Sequence, residues 1–211
     1  MRRRNGRAAL LLAAFAAWTI AIHRIDVQPI GPNGSHVGFA ALNGFAHRLT
    51  GVNWSLYRIT DWPGLVPIAV AMGFAALGLA QWIRRRSIAK VDRSLLALGG
   101  LYIAALAAYL LFEARPINYR PVLIGGCLET SYPSSTALLV LCVMPTAARQ
   151  WNARIRRKAV RRGAIAASRA FAALMVAGRV LAGVHWITDI IGGALLAAGL
   201  VSLYDSACKA K

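Results

Sequence analysis

The chain has 211 residues, of which 58% are hydrophobic and only 15% charged, and a formal net charge of +18. The charged share is far below the roughly 25% of soluble globular domains, which argues against a soluble enzyme. The positive charge is not arranged as in a nucleic-acid binder either. Lys and Arg gather in residues 2–7, 84–93 and 149–162, between apolar stretches, as cytoplasmic loops do under the positive-inside rule. A groove-facing surface with interleaved aromatics is missing, so no nucleic-acid partner is expected. The three cysteines, Cys127, Cys142 and Cys208, are odd in number and match no zinc or redox spacing.

In chain order, residues 8–22 are an apolar run behind a basic start. The run fits a signal peptide, but further spans follow and no clear small-residue cleavage site is seen, so an uncleaved first span is preferred. Residues 23–61 are mixed, and 26–34 are turn-rich. Residues 37–57 carry apolar positions at helical spacing and predict a helix lying on the membrane surface or packed outside it on the bundle. Residues 62–83 and 94–112 are uncharged and long enough to span. Residues 130–148 give a fourth span. Residues 163–184, with Arg169 and Arg179, and 186–204, with Asp189, complete a set of about six. The fold class is all-α, a polytopic membrane helix bundle. Residues 1–61 make a first span and an outer-side amphipathic segment, and residues 62–211 the membrane core. Tryptophans near the span ends fit an aromatic belt. His23, His36 and His47 show no ligand spacing.

Counting cations orients the bundle. With both termini cytoplasmic, four Lys/Arg of the N-terminal tail, five in 84–93, seven in 149–162 and two at the C-terminus lie inside. Arg169 remains within a span and is expected to snorkel inward. An integral, multi-pass inner-membrane protein is predicted, with loop 113–133 and the start of the last span on the outer face.

Chemistry gathers on that face. Ionisable residues within membrane segments are functional candidates by default. His185 and Asp189 are four apart, a spacing that brings side chains together on a helix, and a carboxylate beside an imidazole fixes its tautomer and supports its positive form. Gly183 predicts a turn just before His185. Loop 113–133 brings Arg115 and Arg120. Pro133, Ser134, Ser135 and Thr136 open the next span, where free backbone N–H groups attract anions. Arginines, a helix N-terminus and a His–Asp pair are the parts for phosphoryl transfer through a phosphohistidine.

These residues resemble the type-2 phosphatidic acid phosphatase and vanadium haloperoxidase superfamily. Its pattern is Lys-x6-Arg-Pro, then Pro-Ser-Gly-His, then Ser-Arg-x5-His-x3-Asp. Here stand Glu113-x6-Arg120-Pro121, Pro133-Ser134-Ser135-Thr136 and Gly178-Arg179-x5-His185-x3-Asp189. The third motif is the most specific, and the resemblance covers roughly residues 60–204. It implies that His185 is the nucleophile, that Asp189 orients it, and that Arg120, Arg179, Ser134 and Ser135 bind phosphate. It implies no metal and no cofactor. The expected partners are the bilayer and a lipid phosphate or diphosphate, and the sequence carries no signal for oligomeric state.

Two positions depart from the pattern. Glu113 replaces the phosphate-binding lysine, and Thr136 replaces the histidine that protonates the leaving group. Loss of such an acid typically costs about 100- to 10,000-fold in rate. Glu129 is the best candidate for a substitute acid. Two readings follow. In one, the substrate is a polyprenyl diphosphate, whose leaving group needs little protonation. In the other, the site is impaired and binds anionic lipid without fast turnover, with Glu113 paired to Arg115 or Arg120. A small transporter would show inverted repeats and broken helices, and neither is found.

Overall fold

In a bilayer the backbone has no water to bond with, so apolar runs of about 20 residues must fold as helices. The structure, a computed structural model, describes residues 2–209. Its eight helices are α1 (Arg2–Arg24), α2 (Ala40–Thr50), α3 (Trp54–Asp61), α4 (Leu65–Arg85), α5 (Arg93–Ala114), α6 (Ser135–Arg154), α7 (Lys158–Leu181) and α8 (Ile187–Lys209). Six are long, and strands are absent among the described residues. The all-α membrane bundle is therefore observed.

Several bounds shift from the expectation. The fourth span starts at Ser135, not at residue 130, because residues 116–134 form an irregular loop. Isolated antiparallel bridges there join Tyr119 to Thr130 and Ile124 to Cys127. The segment expected at 37–57 is two helices, α2 and α3, separated at Gly51, where φ is +60°.

Five stretches are long and apolar enough to cross a membrane: Gly6–Arg24, Trp54–Arg85, Arg93–Ala114, Lys158–Leu181 and Ile187–Lys209. The sixth long helix, α6, carries Thr146, Arg149, Gln150 and Asn152. It is sheltered by contacts with α4, α5, α7 and α8, and its buried polar groups find partners. The Thr146 hydroxyl donates to the Cys142 carbonyl at 2.7 Å, and Gln150 donates to the Tyr204 hydroxyl at 2.8 Å. Polarity that lipid would reject is satisfied by protein.

The helices alternate in direction, so the basic segments share one end. There Asp92, just before α5, accepts from Gln81 of α4 at 2.8 Å and from Arg154 of α6 at 2.9 Å. The Gln81 hydrogen bond and the two neighbouring arginines hold its carboxyl down at about 2. α1 lies along α8. Their close approach relies on α8 lacking a side chain at Gly199, where a Cβ would come within 2.6 Å of Leu12.

At the opposite end, α2 and α3 pack on the α7–α8 turn. Asn43 of α2 is fully buried. Its amide nitrogen donates to the Gly38 carbonyl at 2.8 Å and to the Thr188 hydroxyl at 2.9 Å. The Asn53 N–H donates to the Ala182 carbonyl at 3.0 Å. Gly183 has φ +65°, and a Cβ there would lie 1.7 Å from the Gly51 carbonyl oxygen.

Gly183→Ala thus meets both left-handed strain and backbone overlap. It is expected to cost at least about 2 kcal/mol. Gly163→Ala, on an open face of α7, is expected to be neutral or to stabilise by up to about 1 kcal/mol. Thermal unfolding in detergent separates the two; equal melting temperatures would refute the packing argument.

Candidate active site

The α7–α8 turn carries His185, which is 6% exposed. Two groups flank its ring. Arg120 Nη1, from the loop before α6, is 3.2 Å from Nε2. Asp189 Oδ2, from the first turn of α8, is 3.9 Å from Nδ1, facing the ring beyond hydrogen-bond distance. A guanidinium only donates. Nε2 must therefore present its lone pair to Arg120, and the ring proton sits on Nδ1, toward Asp189. Burial pushes the His185 pKa down; Asp189 pulls it up, and the Arg120 and Arg179 charges lower it further. The ring is held below the ordinary histidine value, hence neutral at pH 7.

Asp189 is fully buried. Its Oδ2 accepts the Trp186 N–H at 3.0 Å, and its Oδ1 accepts from Asn118 Nδ2 at 3.0 Å. The first bond is the return half of a capping box, in which a carboxylate in the first helical turn reaches back to the residue before the helix. Asp189 thus starts α8 and faces His185 at once. Its backbone carbonyl also accepts the Ser134 N–H at 3.0 Å, which fixes the head of α6 against the head of α8.

The arginines are each engaged by a carboxylate. Arg120 Nε lies 2.9 Å from Glu129 Oε2, and its backbone N–H donates to the Glu129 carbonyl at 2.9 Å. Arg179 is 2% exposed. Its Nη2 lies 2.7 Å from Asp61 Oδ1, and its guanidinium stands 5.1 Å over the Tyr57 ring. It is close enough to act on His185 electrostatically.

The other expected residues divide. Ser134 is the N-cap of α6; its hydroxyl oxygen accepts from the Ala137 N–H at 3.5 Å. Ser135, Glu113, Thr130 and His185 line one cavity of about 20 Å³, room for a single water. Thr136 is half-buried and lies outside that lining. The expected pairing of Glu113 with Arg115 or Arg120 does not form. Glu113 instead accepts from the Thr130 hydroxyl at 2.7 Å. The Tyr119–Thr130 bridge sets Glu129, not Glu113, beside Arg120. No three metal-ligating side chains converge among the described residues.

Sequence reasoning did not find Asn118, Asp61 or Tyr57. Asn118 stands two residues before Arg120 in a turn-rich loop, where asparagine is common. Asp61 and Tyr57 come from a helix 118 or more residues away from Arg179, and no local pattern announces the contact.

Asn118→Ala leaves the buried Asp189 Oδ1 without a donor. It is expected to cost about 1–3 kcal/mol, read as a lower unfolding temperature, while Asn118→Asp, which sets a like charge there, costs more. An unchanged stability in both would remove Asn118 from the support of Asp189.

Residues 111–206 match the family model described as the PAP2 superfamily. Among solved structures, the chain is similar to the first transmembrane PAP2 type phosphatidylglycerolphosphate phosphatase from Bacillus subtilis. The TM-score is 0.56 at 17% sequence identity, over 95% of this chain and 94% of that one. At that identity the likeness speaks to the fold. No curated protein matches by sequence. The matched segment contains the loop before α6, α6 itself, α7 and most of α8, and with them Arg120, Ser134, Ser135, Arg179, His185 and Asp189. The chain is a multi-pass membrane protein, and its residues 111–206 are similar to the PAP2 superfamily.

Proposed function

We propose that this protein is a lipid phosphatase that works through a phosphohistidine on His185. The observation that carries the reading is the buried, neutral imidazole with Nε2 beside Arg120 and Nδ1 facing Asp189. The match of residues 111–206 to the PAP2 superfamily model supports it, as does the fold shared with a phosphatidylglycerolphosphate phosphatase.

In the proposed reaction the Nε2 lone pair attacks phosphorus. The phosphorus–oxygen bond to the leaving group breaks, and its electron pair leaves on that oxygen. The ring gains positive charge while its proton stays on Nδ1, where the Asp189 carboxylate stabilises it. Arg120 and Arg179 neutralise the phosphoryl oxygens. Water then attacks phosphorus, the nitrogen–phosphorus bond breaks, and His185 returns neutral. The substrate phosphate must compete with Glu129 for Arg120 and with Asp61 for Arg179. Ser135, in the cavity beside His185, is better placed to assist than Ser134, whose hydroxyl caps α6.

The leaving group decides the substrate class. Thr136 supplies no proton at neutral pH, so a diphosphate ester, which releases a weakly basic phosphate, is favoured over a monoester, which releases an alkoxide. A polyprenyl diphosphate fits both this requirement and the membrane setting. The distribution of basic loops supports cytoplasmic termini and a site at the outer face of the inner membrane. A second reading, an anionic-lipid binder without fast turnover, draws on Glu113 and Glu129, which add negative charge where phosphate would sit.

Assay of purified protein in detergent tests these readings. Wild type is expected to release phosphate from an isoprenyl diphosphate faster than from phosphatidic acid or phosphatidylglycerolphosphate, and His185→Ala to lose at least about 1,000-fold. Faster turnover of the monoesters would end the diphosphate preference. Equal activity in His185→Ala would remove the nucleophile, and no turnover in either protein would favour the binding reading.

The pH profile gives a separate check. Neutral His185 is the reactive form and its pKa is lowered, so the neutral form persists on the acid side. The acid limb of kcat/KM is expected to have its midpoint below 6.5. A midpoint at or above 6.5 would contradict a buried histidine nucleophile.

A further inference from the structure

At the end of the bundle opposite His185, a cavity of about 860 Å³ opens among α1, α6, α7 and α8. Four cations line it, Arg7, Arg149, Arg169 and Lys209, against one carboxylate, Asp205. Its size falls within the range of small-molecule sites. The fold explains why it exists. α7 runs along α6 and α1 runs along α8, while α7 and α8 share little contact. The two helices diverge from their turn, and the wedge between them widens toward the basic end.

The cations are not equivalent. Arg149 is committed within the protein: its Nε lies 2.6 Å from Asp205 Oδ1, its Nη2 2.7 Å from Oδ2, and its Nη1 donates to the Pro145 carbonyl at 2.9 Å. That bidentate pair uses up the only carboxylate of the lining. Among the described residues, Arg7 and Arg169 have neither an ion-pair nor a hydrogen-bond partner. Arg169 is the telling one. It stands eleven residues into α7, about 16 Å along the helix axis, inside a candidate span. An arginine at such depth faces a water-filled cavity or meets an anion. Side chains lean toward the helix N-terminus, and for α7 that direction leads into this basic cavity.

We infer that this cavity binds the phosphate headgroup of an anionic phospholipid from the basic-end leaflet, held by Arg169 and Arg7. A lipid is favoured over a free anion because Arg169 is exposed within a candidate span, so acyl chains can stay in the bilayer while the headgroup meets it. Basic pockets between membrane helices recognise such headgroups. The site is separate from His185 and does not depend on the hydrolytic reading.

Native mass spectrometry of the full chain, loaded with phosphatidylglycerol or phosphatidylcholine, tests this. Wild type is expected to retain phosphatidylglycerol over phosphatidylcholine. Arg169→Gln and Arg7→Gln should each weaken retention, together by at least tenfold, and Arg169→Lys should keep most of it. The exposed Arg7→Gln alone decides the matter if Arg169→Gln does not fold. Arg120→Ala, which disables the other end, should leave this lipid bound. Unchanged retention in the double variant would overturn the inference. So would loss confined to Arg120→Ala, which would put the lipid at the His185 end. Displacement by millimolar inorganic phosphate would point to a free-anion site and overturn the choice of a lipid. Phosphatase activity of Arg169→Gln on detergent-dispersed substrate should match wild type, so failure here and failure of the hydrolytic reading remain distinguishable.

Discussion

The Asp189 carboxylate has no exposed surface, and a charge in that position is tolerated only if its oxygens are hydrogen-bonded or paired. Much of the His185 end of the bundle is arranged around that requirement. Asn118 reaches it from the loop before α6, the Trp186 N–H from the turn, and the His185 ring faces it from 3.9 Å. The same residue's carbonyl takes the Ser134 N–H. Loop, α6, turn and α8 are therefore joined at one residue. The neutral tautomer of His185 follows from this frame, with Asp189 on the Nδ1 side and Arg120 on the Nε2 side.

Charge balance around the ring is tighter than the motif alone implies. Each arginine has its own carboxylate, Glu129 for Arg120 and Asp61 for Arg179. Glu113, in the position where the related pattern has lysine, sits in the small cavity beside His185 and takes a hydroxyl from Thr130. The local field is thus less positive than two arginines and a helix N-terminus would give. Under the proposed chemistry, an incoming phosphate gains from the guanidinium groups only by loosening their existing pairs.

Much of the architecture was legible because hydrophobic length and Lys/Arg runs respond to the bilayer directly. α4 and α5 lie within three residues of the expected spans. Gly183 predicts a turn, and it has the positive φ that a turn there requires. α6 was harder to delimit. Its N-terminus is set by the Ser134 cap and by the Ser134 N–H bond to the Asp189 carbonyl, a long-range pairing, and its polar residues are tolerated only because neighbouring helices shelter them. At the site, the His185–Asp189 spacing predicted proximity correctly, but for a different local reason. His185 lies in the turn rather than on α8, and the capping geometry of Asp189 brings the two together. Contacts such as Asp61 with Arg179, or Asn43 with Thr188, leave no periodic trace, so the sequence could not reveal them.

The segment between α1 and α4 acquires a physical role from those contacts. α2 anchors the head of α8 through Asn43 and Thr188. The bend after it packs on Gly183, and α3 brings Asp61 and Tyr57 to Arg179. His47 of α2 adds its ring 5.6 Å from Trp186, and burial lowers its pKa, so it serves as a largely apolar plate against the turn. Every one of these contacts falls on residues 178–188, the stretch that carries His185. A turn of five residues between two diverging helices has little packing of its own, since α7 and α8 separate beyond it. Without α2 and α3, His185 would sit on a hinge. With them, the divergence that opens the basic cavity at one end is compatible with a fixed imidazole at the other.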